Sequence, residues 1–164
     1  MSDIENNQSK GSGVFVSEPL YVDIKELEDG FYRADIELHN VDHSGPSYEG
    51  RVFLNNPNAN EKTKMDLDNG YVGSYNIFGH GGCVGNLGHC NILPPRKPYD
   101  KRPAQDLKPQ YKRIIITEAL KKIGKDVDKF TITIVPVLYG GNFDKEDKVK
   151  DLVKVDKVGI ILYE

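Results

Sequence analysis

Phe31-Tyr32-Arg33-Ala34-Asp35-Ile36-Glu37-Leu38-His39 sets polar Arg33, Asp35, Glu37 and His39 against Tyr32, Ala34, Ile36 and Leu38. Strict alternation over this length is the mark of a strand with one face in a core. Upstream, Val14, Val16, Leu20, Tyr21, Val22, Ile24 and Leu27 form an apolar pattern broken by Pro19 and closed by Asp29-Gly30, which suits an edge strand and a turn better than a helix. Downstream, Tyr48 to Asn55 is bounded by Ser44-Gly45-Pro46-Ser47 and Asn55-Asn56-Pro57-Asn58, and Tyr71 to Phe78 is entered through Asn69-Gly70. Tyr111 to Ile116, Phe130 to Leu138 and Lys154 to Tyr163 add three more strand-like runs, the second strongly β-branched. Between them, Thr117 to Gly124 predicts a two-turn helix capped by Thr117, with Glu118 at its positive end, Lys121 and Lys122 at its negative end and Gly124 as the stop. This succession predicts an all-β fold, a β-sandwich or jelly-roll-like barrel with one short helix. Residues 1–12, polar and ending in Gly-Ser, read as a flexible tail, and residues 13–164 as a single β-sandwich domain.

Between the strand ending at Phe78 and the one beginning at Tyr111 regular pattern stops. Residues 79–109 hold five glycines in their first ten positions and five of the nine prolines, which excludes a helix or a sheet interior. A Gly/Pro-rich loop of this length in a compact domain is usually functional. It also gathers the chain's reactive side chains: both cysteines, Cys83 and Cys90, and two of four histidines, His80 and His89, fall within eleven residues.

Three readings of that cluster stay open. Six residues separate Cys83 from Cys90, and a disulfide closing so small a loop removes about 2.5 kcal/mol of unfolded-state entropy, in an oxidising compartment. Alternatively His80, Cys83, His89 and Cys90 make a Cys2His2 set with donors suited to zinc or copper, although the spacing is not that of a zinc finger. The third reading is structural: glycine turns, small buried thiols and histidines bonded to backbone carbonyls. The order His39, Cys83, His89 resembles a blue-copper ligand set only in outline, because Met1 and Met65 both precede Cys83 and leave no axial methionine behind His89.

Composition excludes several classes. With 164 residues, Lys+Arg 22 against Asp+Glu 25 and a mean hydropathy of -0.53, the chain lacks both the cationic surplus of a nucleic-acid binder and any apolar run long enough to span a membrane. Its first residues show neither a basic nor an apolar segment of an export signal, which predicts a cytoplasmic location, or a secreted one as part of a larger protein. Hydrolase, nucleotide-loop and zinc-protease motifs are absent. Asp66, Asp68 and Asn69-Gly70 read as a solvated turn rather than a calcium loop, and His43 as an exposed turn residue.

Arg51-Val52-Phe53-Leu54-Asn55, then Tyr71 through Gly79-His80-Gly81-Gly82-Cys83, then Gly88-His89-Cys90, resemble the non-catalytic C-terminal domain of tyrosinase-like and polyphenol-oxidase-like type-3 copper proteins. Tyr99-Asp100-Lys101-Arg102-Pro103, Ile116-Thr117-Glu118-Ala119-Leu120, Thr131 to Val137 and Val158 to Glu164 are similar to its closing segments, so the resemblance spans about residues 14–164. It implies a β-sandwich module that packs over a helical dicopper domain and shields its entrance. That copper centre takes six histidines on helices, whereas this chain has His39, His43, His80 and His89 alone, so the catalytic residues have no counterpart and no enzyme activity is expected. The expected function is an accessory module presenting the 79–109 loop, with Tyr99, Arg102 and Tyr111, to a protein partner, either a type-3 copper oxidase domain or a second copy of itself. No cofactor is expected in that reading. The alternative is a small copper- or zinc-binding protein using His80, Cys83, His89 and Cys90.

Overall fold

The computed structural model describes residues 8–10, 13–24, 30–79, 98, 99, 101, 108–124, 127–138 and 152–164. In chain order the strands are β1 (Gln8–Lys10), β2 (Val14–Val16), β3 (Leu20–Tyr21), β4 (Arg33–Val41), β5 (Tyr48–Leu54), β6 (Tyr71–Ile77), β7 (Gln110–Ile115), β8 (Lys129–Phe130), β9 (Ile132–Leu138) and β10 (Lys157–Tyr163), with the helix α1 (Thr117–Ile123) between β7 and β8. They form a five-stranded sheet in the order β1-β2-β9-β5-β6, a three-stranded sheet β10-β4-β7 and a small pair β3-β8, every pairing antiparallel. Three residues of the expected tail, Gln8–Lys10, are β1.

The core lies between the two larger sheets. Ala34, Ile36 and Leu38 of β4 face Val52 and Leu54 of β5, Tyr75 and Ile77 of β6 and Ile132 and Ile134 of β9, with Leu120 of α1 closing one end. Each fully buried aliphatic or aromatic side chain here contributes about 1.5–3 kcal/mol over its exposed state. The layers come close together where β6 carries Gly73: a Cβ there would sit 2.8 Å from Cγ2 of Ile114 on β7. The predicted alternation of β4 is therefore the seam of the sandwich, and β4 is the middle strand of its sheet.

Alternation fails as a guide on β9, where Ile132, Thr133, Ile134, Val135 and Pro136 are all buried. The five-stranded sheet is covered on both faces. Its second face buries Val14, Phe53 and Val135 against Ala59 of the connection that follows β5. Pro136 is tolerated because β2 pairs with β9 only at Ile134 and Thr133, so the proline lies past the end of that ladder while its pairing with Gly50 of β5 continues.

Two local expectations are corrected. The segment at Val14 is not an edge, since β2 lies between β1 and β9. Thr117 does not cap α1: Ile116 occupies the cap position, and the Thr117 hydroxyl accepts from the Ala34 N–H at 3.1 Å, tying the helix start to the beginning of β4. Gly124 does stop the helix, its N–H bonded to the Leu120 carbonyl. The Asp66–Gly70 stretch is the turn its residues suggest, with Asp66 accepting from the Asn69 N–H at 2.9 Å and Gly70 in the left-handed region at φ 83.

Candidate functional site

The 79–109 excursion starts where β6 ends and stops where β7 begins, and its two roots are held by one short connection, residues 42–47 between β4 and β5. At the first root the Gly79 N–H donates to Ser47 Oγ at 3.0 Å. Gly79 lies so close over the Gly45 carbonyl and Pro46 that no Cβ fits, so this residue must be glycine. At the second root His43 Nε2 donates to the Lys108 carbonyl at 2.6 Å, and Nδ1 stands 3.3 Å from the Gln110 side-chain amide. Because a carbonyl only accepts, this geometry fits the tautomer with its proton on Nε2, with Nδ1 accepting from Gln110. His43 is 8% exposed, not the exposed turn residue its sequence context suggests.

The connection itself is stiffened by Asp42, which accepts from the Ser44 N–H at 2.9 Å and from its hydroxyl at 3.0 Å. Burial opposes its charge, but Ser44 and the Lys154 ammonium outweigh that and keep the carboxyl below the usual range. Immediately beyond, Tyr48 and Tyr75 meet in the core, hydroxyl to hydroxyl at 3.3 Å with rings edge to face. Burial pushes the Tyr48 phenol up to about 12, against the Tyr75 hydrogen bond, and raises Tyr75 as well. Tyr75 fits only because β5 carries Gly50 opposite it, where a Cβ would collide with the Tyr75 ring.

A second cluster occupies the outer face of β10-β4-β7. Asp35 is fully buried although it points away from the core, because Arg33 holds it through Nη2 at 2.8 Å and Arg113 reaches it at 3.4 Å. Arg113 also contacts Glu37 at 3.4 Å and the Tyr111 hydroxyl at 3.1 Å, and His39 stands 3.2 Å from Glu37. The Tyr111 hydroxyl, donating to Glu37, holds that carboxyl below its ordinary range despite burial, with His39 and Arg113 adding to the effect. This is an interlocked ion-pair face with neither a nucleophile–base pair nor an open coordination site. Among the described residues no group of three or more His, Cys, Asp or Glu is placed to hold a metal ion.

Of the residues singled out from sequence, Tyr99 is described and is 82% exposed, and Tyr111 lies on β7 within the ion-pair face, its ring edge-on to His39 at 5.1 Å. His80, Cys83, His89, Cys90 and Arg102 lie outside the described residues. The clamp of Ser47 and His43 carries no sequence signal beyond a turn-like composition, since its partners are more than thirty positions away.

No protein family matches this chain, and no curated protein matches it. Its fold is found in solved structures of a polyphenol oxidase. Latent aurone synthase (polyphenol oxidase) from its natural source is similar at a TM-score of 0.52 and 16% identity, over 92% of this chain and 24% of that one. The recombinantly expressed latent enzyme gives 0.54 and 15%, over 98% of this chain and 26% of that one. The chain thus spans about a quarter of the length of the proteins it matches, and at these identities the likeness is one of fold.

Proposed function

We propose that this chain is a non-enzymatic accessory module that presents its 79–109 excursion to a type-3 copper oxidase domain and restrains access to the copper site. The observation that carries the reading is the coverage: nearly all of this chain corresponds in fold to only a quarter of a polyphenol oxidase that is itself described as latent. The four histidines of the chain fall short of the six a dinuclear copper centre takes, so catalysis belongs to the partner. Two features support a role for the excursion: both of its roots are pinned to residues 42–47, and Tyr99 within it is exposed. A fixed base under a long segment lowers the ordering cost of docking it.

The test is to add the chain to a type-3 copper oxidase domain stripped of its own accessory region and follow diphenol oxidation together with complex formation. The expected result is saturable inhibition with co-sedimentation, lost when residues 80–107 are replaced by a Gly/Ser linker. Absence of both binding and inhibition overturns the reading.

A second reading is favoured by one sequence observation, the packing of Cys83, Cys90, His80 and His89 into eleven residues. In it these four side chains bind copper or zinc. Elemental analysis of chelator-free protein would then show stoichiometric metal, reduced in Cys83→Ser and His89→Ala. Blocked thiols without metal would favour a Cys83–Cys90 disulfide instead.

A further inference from the structure

Among the described residues four strands end the two larger sheets, and three of them are protected against pairing with another chain. β1 is three residues long and ends in Lys10. β6 is bulged, its register with β5 shifting between Val52 and Phe53 beside Gly73 at φ 147. β7 carries Lys112 and Arg113, and its register with β4 shifts between Leu38 and Val41. Short length, bulges and charge are the devices by which sheet edges avoid adding strands. β10 has neither short length nor a bulge, and its one charge, Lys157, sits at its first residue: its seven residues pair with β4 in unbroken register from Lys157↔His39 to Tyr163↔Arg33, and Val158-Gly159-Ile160-Ile161-Leu162-Tyr163 holds no charge and no proline. Among the described residues β4 is its only partner.

We infer that β10 is a strand-addition site whose occupant is β10 of a second copy of this chain, paired antiparallel about a two-fold axis at Ile160. The sequence of β10 is complementary to its own reverse. An axis at Ile160 sets Gly159 opposite Ile161, Val158 opposite Leu162 and Lys157 opposite Tyr163. Gly159 has open space where a Cβ would lie, and Ile161, on the same outer face, is 39% exposed, so each copy's isoleucine covers the other's glycine. The strand's single charge, Lys157, meets an aromatic ring rather than another cation. Arg33, already stacked over Tyr163 at 5.5 Å, is neutralised by Asp35 at 2.8 Å and does not repel it. Other strands lack this symmetry: β7 paired with itself would bring Lys112 and Arg113 near their own copies, which costs stability. The inference does not rest on the accessory-module reading.

An edge pairing of seven residues is a small interface of the weak, transient class, so the dimer is expected to populate only as concentration rises. Sedimentation velocity on the full chain over a wide concentration series should show a monomer–dimer equilibrium. Gly159→Lys and Ile161→Lys should each weaken it at least tenfold, while Ile115→Lys, an exposed position on the same face but on β7, should leave it unchanged. Far-UV circular dichroism confirms that the variants fold. On the unaltered chain, amide exchange in β10 should slow as concentration rises. A chain that stays monomeric, with β10 exchange independent of concentration, overturns the inference. So does a dimer weakened by Ile115→Lys and indifferent to Gly159→Lys, since that would be face-to-face stacking.

Discussion

The buried tyrosine pair below the excursion makes the unfolding of this protein depend on alkaline pH in a calculable way. Burial raises the Tyr48 phenol from an ordinary 10.0 to about 12. Because the folded phenol holds its proton more tightly than the unfolded one, the stabilisation is fully present below pH 10 and is lost as pH rises from there towards 12. At about 1.36 kcal/mol per unit, a rise of about two units makes the full loss about 3 kcal/mol, of which about 1 kcal/mol is gone by pH 11. Tyr75 is raised in the same direction and adds to it. Denaturant titrations at pH 9, 10 and 11 measure the slope, and the double variant Tyr48→Phe/Tyr75→Phe isolates the pair from the lysines that titrate in the same range. The double variant should lose at least about 1 kcal/mol less between pH 9 and 11 than the unaltered chain. Tyr48→Phe alone leaves the Tyr75 hydroxyl buried without its partner and should cost about 1–3 kcal/mol at pH 7, whereas the double change should cost less. Equal slopes in both proteins, or tyrosinate absorbance showing all nine tyrosines ionising near pH 10 in the folded state, would refute the reasoning.

Three further outcomes follow from particular contacts. Leu38→Ala, fully buried at the seam of the sandwich, should destabilise by about 2–5 kcal/mol in chemical denaturation. Thr133→Val should stabilise by about 1 kcal/mol, because the Thr133 hydroxyl is buried on β9 without a hydrogen-bond partner; a loss of thermal stability would show that it has one. Ser47→Ala and His43→Ala should each release one root of the excursion, detected as faster limited proteolysis within residues 80–107 at little change in global melting for Ser47→Ala.

Much of the architecture was legible because one-sided burial writes itself into sequence. β4, β5, β6, β7 and β10 were each bracketed to within one to three residues, by alternation on β4 and by turn residues around β5 and β6. Where burial is two-sided the polar–apolar contrast vanishes. The sequence sets Thr131, Thr133 and Val135 on one face of the β9 run and Ile132, Ile134 and Pro136 on the other, and the structure puts Ile132 and Ile134 in the main core and Val135 in the second cluster, but nothing in the run shows that both faces are covered. Thr117 has the composition of a cap, but the nearby Ala34 N–H competes for its hydroxyl, and nothing local to Thr117 announces that strand.

The candidate site divides along the same line. That residues 79–109 are irregular, and that they collect the cysteines and half of the histidines, is a property of composition and needs no coordinates. That one connection holds both ends of the excursion, that Asp35 is buried on an outward face beneath two arginines, and that β10 ends its sheet among the described residues are set by pairings between residues remote in sequence. Local physics sets which segments extend, turn or coil. Which of them become neighbours depends on how the sheets close over the core, a matter of long-range packing that no local pattern carries.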